Sequence, residues 1–264
     1  MIDPRAVVDP GAEIAEDVEI GPFAVIGAGV SIGAGSWIGP HAVVKGPTIL
    51  GRNTRVFQFA SIGDAPQDRK YAGEPTRLVV GDRNVFREFC SINRGTVGGR
   101  GETTIADDCL FMAYSHVAHD CIVGSNVIFS HGAMAAGHCQ ISDFAIISGG
   151  AAVIQFARIG AHAFVGGMSG LENDLIPYGM ALGNRAYLSG LNIVGLQRRG
   201  FPRDQIHDLR RAYRLLFAAE GTLLERAEDV ASAFRDHAIV TEILEFIKAG
   251  GKRSLCTPRQ SGDE

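Results

Sequence analysis

The stretch from Ile20 to Ile38 reads IGPFAVIGAGVSIGAGSWI, and an aliphatic residue stands at every sixth position. The same spacing extends in both directions to eleven successive aliphatic positions: Ile2, Val8, Ile14, Ile20, Ile26, Ile32, Ile38, Val44, Leu50, Val56 and Ile62. Such a repeat is typical of a parallel β-helix, in which three six-residue units close one triangular coil of about 18 residues. The repeat residue points into the coil, and a glycine often follows it, where we expect it to suit a tight corner.

Two stretches interrupt this repeat, and each has the composition of a loop. Residues 63–79 read GDAPQDRKYAGEPTRLV and residues 94–104 read RGTVGGRGETT. The repeat resumes in phase at Val80, which predicts that about 12 residues leave the wall in the first excursion. The second excursion shifts the phase by one residue, and the repeat then continues from Ile105 to Leu171. The β-helix therefore has roughly eight coils and a length of about 40 Å.

The sequence changes character after Leu171. Residues 172–200 keep no period, and we predict irregular structure there. Apolar residues with helical spacing follow Pro202, which is a favourable residue near the start of a helix. These features divide the chain into a mainly β domain, residues 1–190, and a small C-terminal α-helical domain, residues 191–264.

Two further helices are predicted in the C-terminal domain. Thr222 and Glu225 have the spacing of a capping box, which opens the first of them. The second runs from about residue 239 to residue 248 and ends at the glycine pair that begins with Gly250. Residues 254–264 form a short polar tail, and we expect them to be disordered.

The composition excludes several classes of function. The chain has 264 residues, of which 46% are hydrophobic, a net charge of -4 and a pI of about 6.1, so nothing global indicates nucleic-acid binding. Five cysteines occur without a CxxC pair, and we interpret them as reduced thiols, most of them buried. The N-terminus lacks the features of a signal peptide, and no apolar run approaches the length of a membrane span. We expect a cytoplasmic protein.

Histidines cluster in the stretch YSHVAHDCIVGSNVIFSHGAMAAGH, residues 114–138. In a coil of about 18 residues, His119 stacks near Gly137 and Asp120 stacks near His138. A histidine that is oriented by a carboxylate can act as a general base near neutral pH. A glycine N–H one coil away could donate to a developing oxyanion. These groups suit acyl transfer in which an acceptor hydroxyl attacks a thioester directly, without a nucleophilic serine or cysteine.

Two other functions remain open for the same cluster. Histidines on a trimeric β-helix can bind zinc between subunits, as in the gamma-class carbonic anhydrases, and His116, His119 and His138 could supply three ligands. A scaffold or binding trimer without catalytic activity is the other alternative, although a polar excursion beside a histidine cluster argues against it. Surface or structural roles are expected for the other histidines of the β-helix: His41, His131 and His162.

A basic stretch lies between Arg198 and Arg214. It contains six arginines against two aspartates, a local charge of +4 on an acidic chain. The stretch is either a solvated helix face or a docking surface for an acidic partner, whose approach the opposite charge would steer. Acyl carrier protein is an acidic partner of this kind.

The chain resembles the UDP-N-acetylglucosamine acyltransferases, the first enzymes of lipid A biosynthesis, over residues 1–250. Hexapeptide repeats alone are shared by many acyltransferases, so the resemblance depends on five further motifs. These are Gln67-Asp68-x-Lys70-Tyr-Ala-Gly-Glu-Pro-Thr-Arg77, Arg94-Gly-Thr-Val97, His116-x-Ala-His119-Asp120, Ala136-Gly137-His138, and Asn192-Ile with Arg198-Arg199-Gly-Phe201.

The resemblance implies a left-handed β-helix, an exception to the right-handed crossover rule. It also implies a homotrimer with active sites between subunits and no cofactor. The reaction would move an (R)-3-hydroxyacyl group from acyl carrier protein to the 3-hydroxyl of the sugar. His119 would be the general base, Asp120 its partner, and Gly137 the oxyanion donor. Substrate contacts are implied for Gln67, Asp68, Lys70, His116, His138, Gln155, Asn192, Arg198 and Arg199.

Gly167 matches the position of the acyl-chain ruler in this family, and a glycine there argues for a longer acyl chain. Four positions depart from the pattern that the family often shows: Asn93, Ile154, Arg185 and Val194. Two of these departures, Ile154 and Val194, remove polar groups near the expected nucleotide and acceptor. Transfer to a 3-amino sugar analogue, which would give an amide, therefore stays open as an alternative.

Overall fold

The six-residue repeat folds into a left-handed parallel β-helix, which the computed structural model describes together with the C-terminal helices over residues 1–259. Its three walls are parallel sheets, here numbered 1 to 3 in the order in which the chain visits them. Sheet 1 has the strands Val7–Val8, Val25–Ile26, Val43–Val44, Ser61–Asp64, Ser91–Asn93, His116–Val117, Met134–Ala135, Ala152–Val153 and Gly170–Leu171.

Sheet 2 has the strands Glu13–Ile14, Val30–Ile32, Thr48–Leu50, Arg77–Val80, Glu102–Ile105, Ile122–Val123, Gln140–Ile141 and Arg158–Ile159. Sheet 3 has the strands Glu19–Ile20, Trp37–Ile38, Arg55–Val56, Val85–Phe86, Leu110–Phe111, Ile128–Phe129, Ile146–Ile147, Phe164–Val165, Gly179–Leu182 and Tyr187–Leu191. The nine, eight and ten strands agree with the prediction of roughly eight coils.

The register between neighbouring coils confirms the predicted coil length. His116 pairs with Met134, which is the spacing of one coil of about 18 residues. Ser61 pairs with Ser91, so the first excursion lengthens its coil by about 12 residues, as predicted. Ser91 in turn pairs with His116, so the second excursion adds about seven. Both insertions leave the walls in register.

Both excursions contain fewer residues than the sequence suggested, because their last residues form strands. The strands Arg77–Val80 and Glu102–Ile105 belong to sheet 2, because an extended backbone in register with the neighbouring coils completes the hydrogen bonds of the wall. We name residues 65–76 the first loop and residues 94–101 the second loop. Both loops connect sheet 1 to sheet 2.

The repeat residues form the core of the β-helix, as predicted. From Ile20 onwards they are almost completely buried, and the largest are Phe86, Phe111 and Phe129. These three rings stack on one another in successive coils, with centroids 4.9 and 5.2 Å apart. Stacking of identical side chains between coils excludes water from the interior and makes the whole stack one folding unit.

The glycine after the repeat residue has a different role from the one predicted. The left-handed conformation instead falls on the third residue after the repeat position, where fifteen of the sixteen non-glycine residues with this conformation in the described chain lie. At Gly33 a Cβ atom would lie 2.8 Å from the backbone nitrogen of Arg52 in the next coil. At Gly33, glycine is therefore needed because the neighbouring backbone is close, whereas the turn itself accepts larger side chains.

Each of the three corners of the prism carries a column of side chains from successive coils. The first corner joins sheet 1 to sheet 2, the second joins sheet 2 to sheet 3, and the third joins sheet 3 to sheet 1. The third corner presents six aromatic rings, and the centroids of neighbouring rings lie 4.8 to 5.4 Å apart. We name this column the aromatic ridge: Phe23, His41, Phe59, Phe89, Tyr114 and His131.

The β-helix ends in structure that the sequence did not predict. Within residues 172–200, the strands Gly179–Leu182 and Tyr187–Leu191 pair antiparallel and close sheet 3. A short helix, α1, follows at Ile193–Arg198. The prediction of irregular structure was thus wrong at these positions, because two short strands and one helical turn and a half leave no period in the sequence.

Three predicted helices are confirmed. Helix α2 spans Arg203–Leu216, α3 spans Leu223–Ala233, and α4 spans Ala238–Ala249. The capping box that opens α3 is complete, since Thr222 accepts from the N–H of Glu225 and the Glu225 carboxylate accepts from the N–H of Thr222. Helix α4 ends at Gly250, which has a φ of 59°.

The expected disorder of the tail is wrong for residues 254–259. Leu255 bridges to Asp174, the N–H of Leu188 donates to the carbonyl of Thr257 at 2.9 Å, and Cys256 is buried. Backbone hydrogen bonds, which composition does not reveal, hold this segment. Residues 260–264 of the predicted tail lie outside the described residues.

All five cysteines are free and buried, as predicted. No helix within residues 1–259 is both long and apolar enough to cross a membrane. Helix α4 contacts the β-helix through Glu242, whose carboxylate accepts a hydrogen bond from Tyr178. The division into residues 1–190 and 191–264 stays a prediction.

Candidate active site

The histidine cluster lies on the first corner, where both loops also leave the wall. Asp120, His138 and Phe156 occupy the left-handed position in three successive coils, with φ between 61° and 68°. The rings of His138 and Phe156 stack with centroids 4.5 Å apart, and the ring of His119 meets His138 edge-on at 5.0 Å. One column of the scaffold therefore brings together the residues that the coil register predicted as neighbours.

His119 and Asp120 form the closest polar pair of this column. Nδ1 of His119 lies 2.8 Å from Oδ2 of Asp120. The carboxylate side chain is completely buried, whereas 17% of the His119 side chain is exposed. Since Nδ1 is occupied by the aspartate, the other ring nitrogen, Nε2, is the one available to a substrate proton.

The second loop closes over the Asp120 carboxylate. The N–H of Thr96 lies 3.1 and 3.2 Å from the two carboxylate oxygens, its hydroxyl donates at 2.6 Å, and the N–H of Arg100 donates at 2.8 Å. Burial raises the pKa of Asp120, but hydrogen bonds from Thr96, His119 and Arg100 outweigh it and leave the pKa lowered. Asp120 is thus held as an anion.

Sequence reasoning missed this group of loop residues. A Cβ atom at Gly99 would lie 2.3 Å from the Asp120 carboxyl carbon, so glycine is required for the loop to approach. The sequence did offer a signal, since Gly98 and Gly99 stand beside Thr96 in an excursion next to the histidine cluster. The partner of these glycines could not be identified without the fold.

Gly137 lies directly against the ring of His119. A Cβ atom at this position would be 2.7 Å from Cε1 and 2.8 Å from Nε2 of that ring. The Gly137 carbonyl accepts from the N–H of Phe156 at 3.1 Å, whereas its own N–H has no acceptor among the hydrogen bonds of residues 1–259. A free N–H beside the imidazole is the arrangement expected of an oxyanion donor.

The predicted contact between Asp120 and His138 is present. Nδ1 of His138 lies 3.8 Å from Oδ2 of Asp120. Burial lowers the pKa of His138, and the charges of His119 and Lys252 act in the same direction, although Asp120 and Asp68 oppose them. His138 is therefore neutral at physiological pH and offers a ring nitrogen for hydrogen bonding.

His116 stands on sheet 1, apart from the Asp120 carboxylate. Its Nδ1 lies 2.7 Å from the hydroxyl of Ser91, and burial lowers its pKa. The ligand atoms that come within 4.8 Å of one another belong instead to His119, Asp120 and His138. The predicted zinc set with His116 is thus not assembled among the described residues, and the Asp120 oxygens already accept hydrogen bonds from the second loop.

The first loop brings two of its predicted residues to this corner. Asp68 and Lys70 line a cavity of about 250 Å³, together with His138 and Phe156. Gln67 is exposed on the same loop. The second loop forms the facing wall of this cavity through Thr96, Val97 and Gly98.

A larger cleft of about 960 Å³ shares Gly98, His138 and Phe156 with this cavity and extends along sheet 2. Gln140 and Arg158 of sheet 2 line this cleft, together with the chain after helix α4. In that segment, Nζ of Lys252 lies 4.1 Å from the centroid of the Phe156 ring. His138 and Phe156 thus line both open spaces.

The remaining predicted residues do not meet His119 within one chain. Gln155 is on the first corner and exposed, and its carbonyl accepts from Nε of Arg253 at 2.9 Å. Asn192 is buried as the N-cap of α1 and donates to the carbonyl of His162 at 2.9 Å. Gly167 lies on the third corner, exposed, with only the carbonyl oxygen of Gly149 at 3.4 Å from an added Cβ.

The two neighbouring arginines have different environments. Arg199 is half-buried, donates to the carbonyl of Phe144 at 2.8 Å and lies over that ring at 5.3 Å, so it packs against the second corner. Arg198 is exposed at the end of α1. Of the pair, Arg198 is the one that remains available to a partner molecule.

The four departures from the family pattern also fall in distinct places. Asn93 is buried and donates to the carbonyl of Ala65 at 3.0 Å, which attaches it to the first loop. Ile154 packs against the core, and Val194 is 58% exposed on α1. Arg185 is exposed beside the cavity that Tyr187 and Arg259 line.

The chain is similar to known proteins in both sequence and fold. A family model described as UDP N-acetylglucosamine O-acyltransferase, domain 2, matches residues 174–256, and the bacterial transferase hexapeptide model matches residues 102–137. The acyl-[acyl-carrier-protein]--UDP-N-acetylglucosamine O-acyltransferase of Methylobacterium radiotolerans is 61% identical over 206 residues, 78% of this chain and 76% of that protein. The enzyme of the same name from Halorhodospira halophila is 50% identical over 246 residues, 93% of this chain and 95% of that protein.

Solved structures give the same result. The UDP-N-acetylglucosamine acyltransferase of Francisella novicida superimposes with a TM-score of 0.92 at 34% identity, covering 99% of this chain and 95% of that one. The Arabidopsis enzyme of the same name superimposes with a TM-score of 0.85 at 33% identity, covering 97% of this chain and all of that one. On sequence and fold together, the chain belongs to the UDP-N-acetylglucosamine acyltransferase family.

Proposed function

We propose that the chain is an acyltransferase that moves an (R)-3-hydroxyacyl group from acyl carrier protein to the 3-hydroxyl of UDP-N-acetylglucosamine, the first step of lipid A biosynthesis. One observation carries the proposal: His119 is oriented by a buried, ionised Asp120 and lies against Gly137, whose N–H is free. The relatives named above are O-acyltransferases, which favours an oxygen acceptor over the 3-amino analogue.

The mechanism uses Nε2 of His119 as the general base. Nε2 removes the proton of the sugar 3-hydroxyl while that oxygen attacks the thioester carbonyl, so the new C–O bond forms as the O–H bond breaks. The carbonyl oxygen becomes an oxyanion that accepts from the N–H of Gly137. When the intermediate collapses, the C–S bond breaks and the imidazolium returns its proton to the departing sulfur. The products are the acylated sugar and the free thiol of the carrier.

Asp120 supports this step electrostatically. Its lowered pKa keeps it charged, so it stabilises the imidazolium that forms on His119. Its bond to Nδ1 also fixes the tautomer that leaves Nε2 unprotonated at the start of the reaction. The second loop therefore serves catalysis indirectly, because Thr96 and Arg100 hold the aspartate.

The acceptor sugar is assigned to the cavity between the two loops. Asp68 can accept from a sugar hydroxyl, and Lys70 can donate to one or neutralise a phosphate. His138, neutral through its lowered pKa, stands at the boundary of this cavity beside the base. Gln67, His116 and Gln155 are the other predicted contacts on this side of the β-helix.

A homotrimer is proposed because the predicted site residues are divided among the corners of one chain. His119 is on the first corner, Asn192 and Arg199 contact the second, and Gly167 is on the third. A neighbouring subunit can bring its own second and third corners to the first. The aromatic ridge supports a subunit interface at the third corner. Its residues Phe59, Phe89 and Tyr114 are 45–56% exposed and form a continuous apolar strip.

The donor, acyl carrier protein, is assigned to the basic surface around α2. Arg211 already pairs with Asp208, and Arg199 is half-buried. Four arginines of the stretch remain exposed without a carboxylate within 4 Å in the described chain: Arg198, Arg203, Arg210 and Arg214. Such unpaired charge attracts an acidic protein and raises its rate of encounter.

Two further expectations belong to the same proposal. The exposed backbone at Gly167 leaves room for a long acyl chain, since an added Cβ would meet only a carbonyl oxygen at 3.4 Å. Five free, buried thiols are typical of proteins in a reducing compartment, which supports a cytoplasmic location.

The test is transfer from a mixed pool of hydroxyacyl carrier proteins to UDP-N-acetylglucosamine and, separately, to its 3-amino analogue. Mass spectrometry of the products gives the acyl length and the acceptor. We expect the ester to dominate; a dominant amide would replace the proposed acceptor. Full activity of His119→Ala would contradict the mechanism. Stoichiometric zinc in the purified enzyme, lost together with activity on chelation, would favour a metal enzyme instead.

A further inference from the structure

Arg94 is the first residue of the second loop, and its side chain reaches the first loop. Nε and Nη2 donate to the hydroxyl of Tyr71 at 3.2 and 2.8 Å. On its other side, Nη1 donates to the carbonyls of Gly46 and Gly63 at 3.0 and 3.1 Å. One guanidinium therefore joins the wall of the β-helix to the middle of the first loop.

Tyr71 connects Arg94 to the turn that carries Asp68 and Lys70, which line the cavity beside His138. Its hydroxyl donates to the carbonyl of Glu74 at 2.7 Å, and its N–H donates to the carbonyl of Asp68 at 3.0 Å. The N–H of Lys70 donates to the carboxylate of Asp68 at 3.0 Å. The turn that carries Asp68 and Lys70 is thus built around the tyrosine that Arg94 holds.

The role of Arg94 is geometric. No carboxylate lies within 4 Å of it in residues 1–259, so its charge is not used in an ion pair. Its four hydrogen bonds use the planar fork of the guanidinium, with two acceptors on the wall and the phenol on the opposite side. A lysine, which is a point charge on a flexible stem, cannot reach both sides at once.

The second loop continues from Arg94 to Thr96, which binds the Asp120 carboxylate. Asn93, one residue earlier, donates to the carbonyl of Ala65 at the start of the first loop. Residues 93–96 therefore contact both the loop that faces the acceptor cavity and the partner of the base. This short segment is the only direct link between them that the described hydrogen bonds include.

We propose that Arg94 is a positioning residue for the acceptor: it holds the first loop so that Asp68 and Lys70 face the cavity beside His138 before the sugar nucleotide arrives. The inference rests on the proposed function, since it assigns the acceptor to this cavity. Preorganisation of a binding loop reduces the ordering cost of binding, so its loss weakens affinity for the ligand that the loop contacts. Affinity for the acyl donor, which binds elsewhere, is not affected.

The first experiment is steady-state kinetics of Arg94→Lys, with UDP-N-acetylglucosamine and hydroxyacyl carrier protein varied separately. We expect the KM for the sugar nucleotide to rise about tenfold or more, while the KM for the donor and kcat change by less than about threefold. The matched control is Arg83→Lys, at the second corner, where the guanidinium donates twice to Asp108 at 2.7 Å. Equal losses in both KM values, or a loss in kcat alone, would overturn the proposal.

Tyr71→Phe tests the shared bond. It keeps the ring, over which Arg94 lies at 5.6 Å, and removes only the hydroxyl. If the two residues act as one unit, the double variant raises the KM for the sugar nucleotide no more than the stronger single variant. Independent, multiplying effects of the two changes would show that Arg94 does not act through Tyr71.

Hydrogen exchange separates this inference from the proposed function. In the ligand-free protein, Arg94→Lys is expected to accelerate exchange of amides in residues 65–76 and to leave the strand Ile128–Phe129 unchanged, whereas Arg83→Lys should change neither. Unchanged exchange in the loop of Arg94→Lys overturns the positioning role, whatever the enzyme does. Faster exchange in the loop without weaker binding of UDP-N-acetylglucosamine overturns the assignment of the acceptor to this cavity instead.

Discussion

The first and third corners of the β-helix have the same backbone but different surfaces. Both place a left-handed residue three positions after the repeat, in successive coils. On the third corner the side chains form the aromatic ridge without interruption. On the first corner, two insertions and a pair of histidines take its place. The comparison teaches that the coil specifies the backbone alone, so its corners can serve either packing or chemistry.

The largest expected difference between the corners concerns their histidines. His119→Ala removes the proposed general base and should lower kcat about 10³- to 10⁴-fold in the acyl-transfer assay. His41→Ala, in the aromatic ridge, is the matched control, and it should change kcat by less than about threefold because no substrate contact is assigned to it. Comparable losses in both variants would remove the distinction between a catalytic and a packing corner.

Gly137→Ala tests how closely the first corner is built. The new methyl group would lie 2.7 Å from the His119 ring, which must move away from Asp120. A displacement of this kind should lower kcat by about 10²-fold while the protein stays folded. Gly27→Ala is the control, since its Cβ would lie 3.5 Å or more from neighbouring atoms, and its kcat should equal that of the parent.

Charged side chains on the aromatic ridge should weaken the subunit interface that we assign to it. Phe59→Asp with Phe89→Asp puts two carboxylates on the strip that we assign to the subunit interface, and desolvating them should raise the trimer dissociation constant about a hundredfold. Sedimentation velocity over a concentration series measures the change. Leu224→Asp, at a residue 69% exposed on α3, should leave assembly unaffected. A trimer that survives the double change assembles through another surface.

The second corner carries a histidine, His162, that stacks on its aromatic neighbours instead of facing the candidate site. Burial lowers the pKa of His162 from 6.5 to about 4, and the charge of Arg199 adds to the effect. The unfolded chain therefore takes up a proton that the folded chain refuses, so stability falls as pH drops from 6.5 towards 4. Because the ring is partly exposed, we expect a loss of about 2 kcal/mol across this window.

His162→Phe is the variant that isolates this loss. Phenylalanine can keep the stacking on Phe144 and Tyr178, whose ring centroids lie 4.7 and 5.6 Å away, and Nδ1 of His162 makes no hydrogen bond that would be lost. Urea unfolding at pH 7 and pH 4.5 should show a smaller acid-induced decrease for the variant than for the parent. Equal decreases would assign the acid sensitivity to other groups.

The sequence predicts most of the wall because the wall is periodic. A coil of about 18 residues places Asp120 beside His138. The structure has Nδ1 of this histidine 3.8 Å from the carboxylate. The lengths of the insertions could be predicted too, since the repeat resumes with a defined phase. Because the backbone repeats, a local sequence pattern predicts which residues of adjacent coils lie close together.

The parts that were missed lack this periodicity. Thr96 and Arg100 reach Asp120 across 24 and 20 residues, through a glycine-rich loop whose path no pattern encodes. Helix α1 has six residues, too few for a recognisable period. The segment around Cys256 is held by backbone hydrogen bonds to Asp174, which any residue type can make. The sequence therefore could not predict the segments whose structure depends on single contacts and not on a repeat.

The antiparallel pair Gly179–Leu182 and Tyr187–Leu191 ends sheet 3 of the β-helix. A parallel stack could otherwise extend indefinitely, since each coil presents unpaired backbone groups to the next. On sheet 3, the reversed strand Tyr187–Leu191 therefore stops the parallel pattern, even though every coil offers the backbone arrangement from which fibrils are made.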